Sequence, residues 1–419
     1  MRSVEEQQAR VSAAAVAPRP VRVAIAEAQG LMCAEEVVTE RPLPGFDQAA
    51  IDGYAVRSVD VLGVGNSDHA EDEAAAEVSL PVMGSIEAGA RTPGRLQPRQ
   101  AVRVQTGAPL PTLADAVLPV HWTDGGRSRV RVLRGVRSGA YVRRTGDDVQ
   151  PGDVAVRAGT IIGPAQVGLL AAVGRERVLV HPRPRLSVMA VGGELVDISR
   201  SPGPGQVYDV NSYALAAAGR DAGAEVNRIG IVSSDPKQLR DVVEGQINRA
   251  EIVVIAGAVG GAAADAVCAV LSELGEMEVT RVAMHPGSVQ GFGQLGGEGV
   301  PTFLLPANPV SALVVFEVMV RPLIRLSLGR RQPMRRVVQA RTLSPISSVP
   351  GRKGYLRGQL MRDQDSGEYL VQALGGAPGA SSHLLATLAE ANCLVMVPSE
   401  AEQIRTGEIV DVAFLAQRG

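Results

Sequence analysis

Hydrophobic and polar positions change their rhythm along the chain, and the changes mark its parts. Near the start, Ser3 and Glu6 stand at capping-box spacing ahead of an amphipathic pattern, which predicts a helix to about Ala15. Pro18 and Pro20 end it. VRVAIA predicts a short strand, and a second helical piece is expected around Glu27–Ala34. From Pro42 to about Asp147 short alternating runs are broken by Gly and Pro. There VSLPVMGSI, QAVRVQTGAPL, ADAVLPVHW and SRVRVLRG read as strands of a β-rich subdomain. Between them GNSDHAEDEAAAE (Gly65–Glu77) is acidic, alanine-rich and unpatterned, and reads as a surface loop.

Residues 185–329 alternate apolar strands with helical segments: RLSVMAVG, VNSYALAAAGRDAG, EVNRIGIV, DPKQLRDVVEGQINRA, EIVVIAG, DAVCAVLSELG, EVTRVAM, PTFLLP and a last long helix. Continuous apolar strands alternating with helices predict a parallel sheet covered on both faces. After Arg330 the pattern returns to short strands, RVVQARTL, GYLRGQLM, EYLVQALG, NCLVMVP and EIVDVAFL, which predict a small C-terminal β-domain of barrel or sandwich type. The fold class is therefore α/β multidomain.

Composition narrows the function. The chain has 419 residues, enough for about two to four domains. Its net charge of −2 leaves no basic surplus for nucleic acid or an acidic membrane, and aromatics at 3% offer no base-stacking platform. Cys33, Cys268 and Cys393 are too scattered for a disulfide frame or a zinc site. MRSVEEQQAR lacks the apolar core of a signal peptide, and SALVVFEVMVRPLIRLSL is interrupted by Glu317 and Arg321, so no membrane span is expected and a cytoplasmic location is.

In an open parallel sheet, ligands bind beyond the carboxyl ends of the strands. Loops rich in Gly, Pro, Asn and Asp fall at such ends: VGGEL (Val191–Leu195), AGAVGGAAAD (Ala256–Asp265), MHPGSVQG (Met284–Gly291) and PANPVSA (Pro306–Ala312). GQVYDVN (Gly205–Asn211) opens a helix, with Asp209 and Asn211 in capping reach. Each loop alone is ordinary turn chemistry, but their convergence predicts a pocket. IVVIAGAVGGAAADAV (252–267) is not a phosphate loop, since it lacks the GxxxxGK[ST] pattern.

PLPGFDQAAIDGYAVR (Pro42–Arg57) resembles the signature of the MoeA/gephyrin E-domain family, P-x-F-D-x-[SA]-x-[MI]-D-G-Y-A. The likeness continues through VRVQTGAPLPTLADAVLP, GAYVRRTGDDVQPGD, GQVYDVNSY and PANPVSALVVFEVMVRP, and covers nearly the whole chain. It implies a molybdopterin molybdenumtransferase, which inserts molybdate into adenylated molybdopterin and releases AMP, assisted by Mg2+. It also implies an elongated homodimer of four-domain chains. With the patterning above, that places a discontinuous helical platform at 1–43 and 146–182 and a β-rich insert (lid) at 44–145. A MogA-like α/β domain is expected at 183–329 and a C-terminal β-barrel-like domain at 330–419. Carried over residue by residue, the catalytic carboxylates are Asp52, Asp148, Glu194 and Asp209, with Asp52, Glu194 and Asp209 as metal ligands. Asn308, Pro309, Ser311, Arg357 and Ser382 are the pterin and phosphate contacts, and His285 and Ser288 stand at the anion-facing positions.

The cleft departs from the family pattern. T-G-D-E-L is VGGEL, S-G-G-V-S-x-G-[DE] is AGAVGGAA (256–263), K-P-G-K-P is HPGSV (285–289), and P-G-N-P-V-S is PANPVS with Ala307. Each lost lysine is worth about 1.5–3 kcal/mol as a charge-assisted contact. A neutral His285 and the single hydroxyl of Ser288 would then weaken anion affinity by about a hundredfold or more. An enzyme with a thinned cleft is the first reading. The alternative is a catalytically degenerate gephyrin-like scaffold that holds a peptide partner, such as the tail of the tubulin-like FtsZ together with a membrane receptor in cell division. That groove needs exposed apolar positions around Pro322–Leu328 and in the C-terminal domain, for example Leu323 and Tyr355. A weaker third reading is a carrier that binds pterin or molybdate without turnover.

Overall fold

The computed structural model describes residues 1–64, 77–91, 93–260, 263–374 and 385–415. The GNSDHAEDEAAAE loop, but for Glu77, and the candidate Ser382 lie outside them. The chain packs as two units, Arg22–Leu179 and Met1–Val21 with Val180–Gly419.

Helix α1 (Val4–Ala13) starts with the expected capping box, Glu6 N–H donating to Ser3 Oγ at 3.1 Å and Ser3 N–H to the Glu6 carboxylate at 2.9 Å. Its buried Val4 and Val11 join the core of the α/β domain. The helix grouped with the platform from sequence thus belongs to the same unit as that domain. No second helix forms at 27–34: a single 3-10 turn, Ile25–Glu27, gives way to Gly30 at φ +82°, and Met32–Cys33 is extended. The Cys33 N–H pairs with the carbonyl of Thr160, so tertiary pairing overrides the local helical pattern.

In the unit Arg22–Leu179, strands β1 (Gly53–Val56), β2 (Val78–Ile86), β3 (Ala101–Val104), β4 (Ala116–Pro119) and β5 (Arg129–Val132) form one sheet in the order β4–β1–β3–β2–β5. The alternation of GYAV is two-sided. Tyr54 and Val56 enter one core with Leu80 and Leu118, whereas Ala55 enters another with Ile86 and Val117. Helix α2 (Pro164–Ala172) lies later in the same unit.

The α/β domain contains β6 (Arg185–Val191), α3 (Asn211–Ala222), β7 (Glu225–Val232), α4 (Pro236–Ile247), β8 (Ile252–Val259), α5 (Ala264–Leu274), β9 (Gly275–Arg281), the two-residue β10 (Met284–His285), β11 (Val289–Leu295), β12 (Val300–Pro306) and α6 (Pro309–Val315). A π-helical turn, Phe316–Val320, joins α6 to α7 (Arg321–Ser327). The sheet order is β7–β6–β8–β12–β11–β9. The first four strands are parallel, as expected, while β11 and β9 add an antiparallel edge that the strand–helix rhythm does not announce. The buried strands serve both faces. Leu186, Val188, Ile252 and Val254 pack with α3 and α6, and Met189, Val253 and Ile255 pack with α4 and α5.

Strands β13 (Val337–Thr342), β14 (Lys353–Arg362), β15 (Tyr369–Ala373), β16 (Cys393–Val397) and β17 (Ile409–Phe414) follow. They pair as β14–β15–β13–β17–β16, and β16 pairs back onto β14, closing a five-stranded barrel. Its outside is tied to the α/β domain, because Tyr355, Leu394 and Ala413 share a core with α6 and α7. Among the described residues no helix is long and apolar enough to cross a membrane.

Candidate functional site

The family-signature residues of the first unit are largely structural. A Cβ on Gly53 would lie 2.2 Å from the carbonyl oxygen of Leu118, so only glycine fits there, and Tyr54 donates its hydroxyl to Gly126 O at 2.9 Å. Asp52 is exposed, and its Oδ1 accepts both the N–H (2.7 Å) and the hydroxyl (2.8 Å) of Thr106. These two bonds hold its carboxyl below the usual carboxylate range. Asp47, which the sequence reading passed over, repeats the arrangement with Thr145 at 2.8 and 2.9 Å. The signal was available: both threonines precede a glycine at positive φ, Gly107 and Gly146. Asp148 is exposed, and its N–H donates to Leu43 O at 3.0 Å.

In the other unit the five loops touch in sequence. A Cβ on Gly257 (φ +80°) would lie 2.1 Å from the carbonyl oxygen of Val191, which presses the AGAVG stretch against VGGEL; Gly261 and Ala262 of that loop lie outside the described residues. Next, Val207 N–H donates to Glu194 O at 2.8 Å and Asp209 N–H to Val196 O at 2.9 Å, joining VGGEL to YDVN. Asn211 Nδ2 donates to Ala307 O at 2.8 Å, joining YDVN to PANPVS. Last, Gly287 (φ +88°) packs so tightly that a Cβ would meet Val315 at 2.2 Å and Ser311 O at 3.4 Å, joining HPGS to PANPVS. The register of β8 with β12 sets Val259 beside Pro306, so four of the loops close a ring of contacts to which HPGS attaches.

The candidate side chains within that ring differ in availability. Glu194 is exposed, and its carboxylate folds back over Gly192, where a Cβ would lie 2.7 Å from Oε2. Asp209 is 1% exposed and both its oxygens are engaged: Oδ1 accepts Ser212 N–H at 2.9 Å and Oδ2 accepts the Ser212 hydroxyl. Ser212 also accepts from Arg228 Nη1 at 3.0 Å, and that guanidinium lies 3.9 Å above the Tyr213 ring. Asn308 caps α6, its Oδ1 accepting Ser311 N–H at 3.0 Å with Pro309 at the first helical position. The Ser288 hydroxyl turns inward, donating to Val282 O at 2.9 Å. His285 is half-buried, and burial with the neighbouring Arg352 pushes its pKa down. Strand β10 runs parallel to β14, His285 opposite Gly354, which carries the RK turn of the barrel domain to this loop. Arg352 therefore supplies a cation beside the position of a missing lysine; two consecutive basic residues in GRKG were its only sequence signal. Arg357 is buried in β14, and burial lowers its pKa.

Two expectations attached to the scaffold alternative fail. Leu323 and Tyr355 are 0% and 5% exposed, both in the core shared by the α/β and barrel domains, and present no peptide groove.

The order of these parts, a β-rich region, an α/β domain ringed by loops and a terminal barrel, is matched across the chain. The MoeA N-terminal region (domain I and II) matches residues 2–174, a probable molybdopterin binding domain matches 187–326, and the MoeA C-terminal region (domain IV) matches 339–415. Fold and loops define a multidomain protein built on a molybdopterin-binding-type α/β domain. The chain is 85% identical to molybdopterin molybdenumtransferase 1 of Mycobacterium tuberculosis, with 100% of each chain covered. It is 37% identical to molybdopterin molybdenumtransferase 2 of the same organism, with 98% and 99% covered. A crystal structure of the molybdopterin biosynthesis MoeA protein from Pyrococcus horikoshii superposes with a TM-score of 0.81 at 30% identity, covering 98% of each chain. This chain belongs to the molybdopterin molybdenumtransferase (MoeA) family. The relatives are named for the transferase, and the scaffold and cell-division reading takes no support from them.

Proposed function

We propose that this chain inserts molybdate into adenylated molybdopterin and releases AMP, acting as a homodimer in the cytoplasm. The observation that carries the reading is the Asn211–Ala307 hydrogen bond, which completes the ring of loops at the carboxyl ends of the parallel strands in a chain of this family. An oxyanion and a pterin need amide and cationic donors with a carboxylate nearby, and these loops carry backbone amides, Arg352 beside His285, and the exposed Glu194. In this reading Asn308 and Arg357 orient the pterin and phosphate groups. Arg352, beside a neutral His285, carries the charge that lysines supply elsewhere in the family. Glu194, exposed on its loop, relays protons from the dithiol sulfurs that bind molybdenum to the molybdate oxygen that leaves as water.

Mg2+ fits the donors of this unit only in part. Glu194 is an exposed carboxylate, but Asp209 is buried with both oxygens engaged, and among the described residues no group of three or more His, Cys, Asp or Glu forms a metal site. When bound, Mg2+ would neutralise the pyrophosphate of the adenylated substrate. No step above is routed through it.

Complementation of a strain lacking its own insertase tests the reading, with nitrate reductase activity as readout. Rescue is expected, with molybdate-dependent AMP release from the purified protein. A well-folded protein that neither rescues nor releases AMP would overturn it.

A further inference from the structure

Beside α7, a cavity of about 430 Å³ opens between the end of α3, the 330–336 connection and the end of β17. Four guanidinium groups, of Arg321, Arg325, Arg335 and Arg336, line it with one carboxylate, Asp221. The charge does not balance locally. Arg335 takes both nearby acids: Nε and Nη2 donate to Glu317 at 2.9 and 3.1 Å, and Nη2 also donates to Asp221 at 2.9 Å. Arg321 is 8% exposed, yet its Nη1 reaches only the carbonyl of Pro333, at 3.3 Å. Its Nε forms an ion pair with the Glu317 that Arg335 already engages, at 3.6 Å and without a hydrogen bond. Among the described residues the buried Nε atoms of Arg321 and Arg325 have no hydrogen-bond partner. Burial and the neighbouring arginines lower the pKa of both groups, as expected where cations crowd without enough counter-charge.

Buried donors and unpaired charges are costly unless something satisfies them. A compact anion with several oxygens matches this arrangement better than carboxylate side chains, because planar guanidinium forks pair with phosphoryl oxygens. We propose that this cavity is an anion site for a di- or triphosphate group, separate from the loop ring. Phe414, with the Arg336 guanidinium 5.8 Å from its ring, flanks the site where a base attached to that group would lie.

The full chain is titrated by calorimetry with pyrophosphate, tripolyphosphate and ATP at constant ionic strength. Saturable binding of at least one of them is expected, weakened tenfold or more by Arg325→Gln and by Arg336→Gln. Asn211→Ala, in the loop ring, should leave it unchanged. Arg336 is exposed, so its variant keeps the test open if Arg325→Gln fails to fold. Tighter binding of ATP than tripolyphosphate, removed by Phe414→Ala, identifies a nucleotide source; equal binding identifies bare phosphate. The proposal is overturned if none of the three binds, if sodium chloride alone reproduces the heats, if an oligoglutamate peptide binds where tripolyphosphate does not, or if Asn211→Ala rather than the arginine variants abolishes binding.

Discussion

The side-chain amide of Asn211 donates to the carbonyl oxygen of Ala307 at 2.8 Å across 96 positions of sequence. Among the described residues its own buried Oδ1 has no hydrogen-bond partner. The single bond fixes the start of α3 against the loop that opens α6, and the spacing of these two loops depends on it. Asn211→Ala leaves a buried carbonyl without its donor, so a stability loss of about 1–2 kcal/mol is expected. Molybdate-dependent AMP release should fall by about ten- to a hundredfold, since a misplacement of about 1 Å carries a penalty of up to about a hundredfold. Asn211→Asp places a carboxylate oxygen against the carbonyl and should be worse on both counts. Thermal unfolding and AMP release measured on the same preparations check this; wild-type rates in Asn211→Ala would remove the bond from the function.

Asp209 has two possible roles, and its neighbours separate them. With both oxygens on Ser212 at the start of α3, it acts as a helix cap. Asp209→Asn and Ser212→Ala should each cost about 1–2 kcal/mol. Neither should alter the Mg2+ concentration needed for half-maximal activity. A shift of tenfold or more in Asp209→Asn alone would mean that the carboxylate contacts the metal.

Burial and Arg352 depress the pKa of His285, so the folded state releases its proton more readily than the unfolded chain. The sign follows directly. The unfolded state binds more protons below about pH 6.5, so stability present above that value is lost as pH falls toward the folded pKa, by at most about 1.4 kcal/mol per pH unit. His285→Gln should flatten that part of the curve. His285→Lys, which restores a family lysine, places an ammonium in the same half-buried position beside Arg352, and should lower stability at pH 7 even where it raises anion affinity. Denaturant melts from pH 5 to 8 on the three proteins test this, and parallel curves for wild type and His285→Gln would refute it.

Much of the fold was legible because one period governs each stretch: period two in GYAV and RVRV, long apolar runs in IVVIAGAV. What failed to show was pairing that glycine makes possible. The loop expected at Met284–Gly291 gives way from Val289 to strand β11, where a Cβ on Gly293 would lie 2.0 Å from Glu276 O and one on Gly291 2.8 Å from Leu304. Barrel closure by β14 and β16 is likewise a long-range pairing with no local signature. At the site, the substituted letters at 285 and 288 were visible. That the Ser288 hydroxyl turns to Val282 O, and that Arg352 arrives through β10–β14 pairing, were not, because both depend on tertiary contacts.

The glycines of the loop ring are not equivalent, and space decides which positions accept a side chain. Gly257 sits at φ +80° with Val191 O where a Cβ would go, so Gly257→Ala should cost more than about 3 kcal/mol and fail to give folded protein. Gly260 has φ +71° but open space, so Gly260→Ser should cost only about 1 kcal/mol, the backbone term alone. Gly193 has neither a positive φ nor a neighbour within 4 Å, which makes Gly193→Asp the change with least structural cost. It returns a family carboxylate next to Glu194, and a second negative charge there bears on any proton that Glu194 relays. Gly193→Asp should therefore fold normally and move the acid limb of the AMP-release pH profile upward. An unmoved limb would show that Glu194 does not carry the proton.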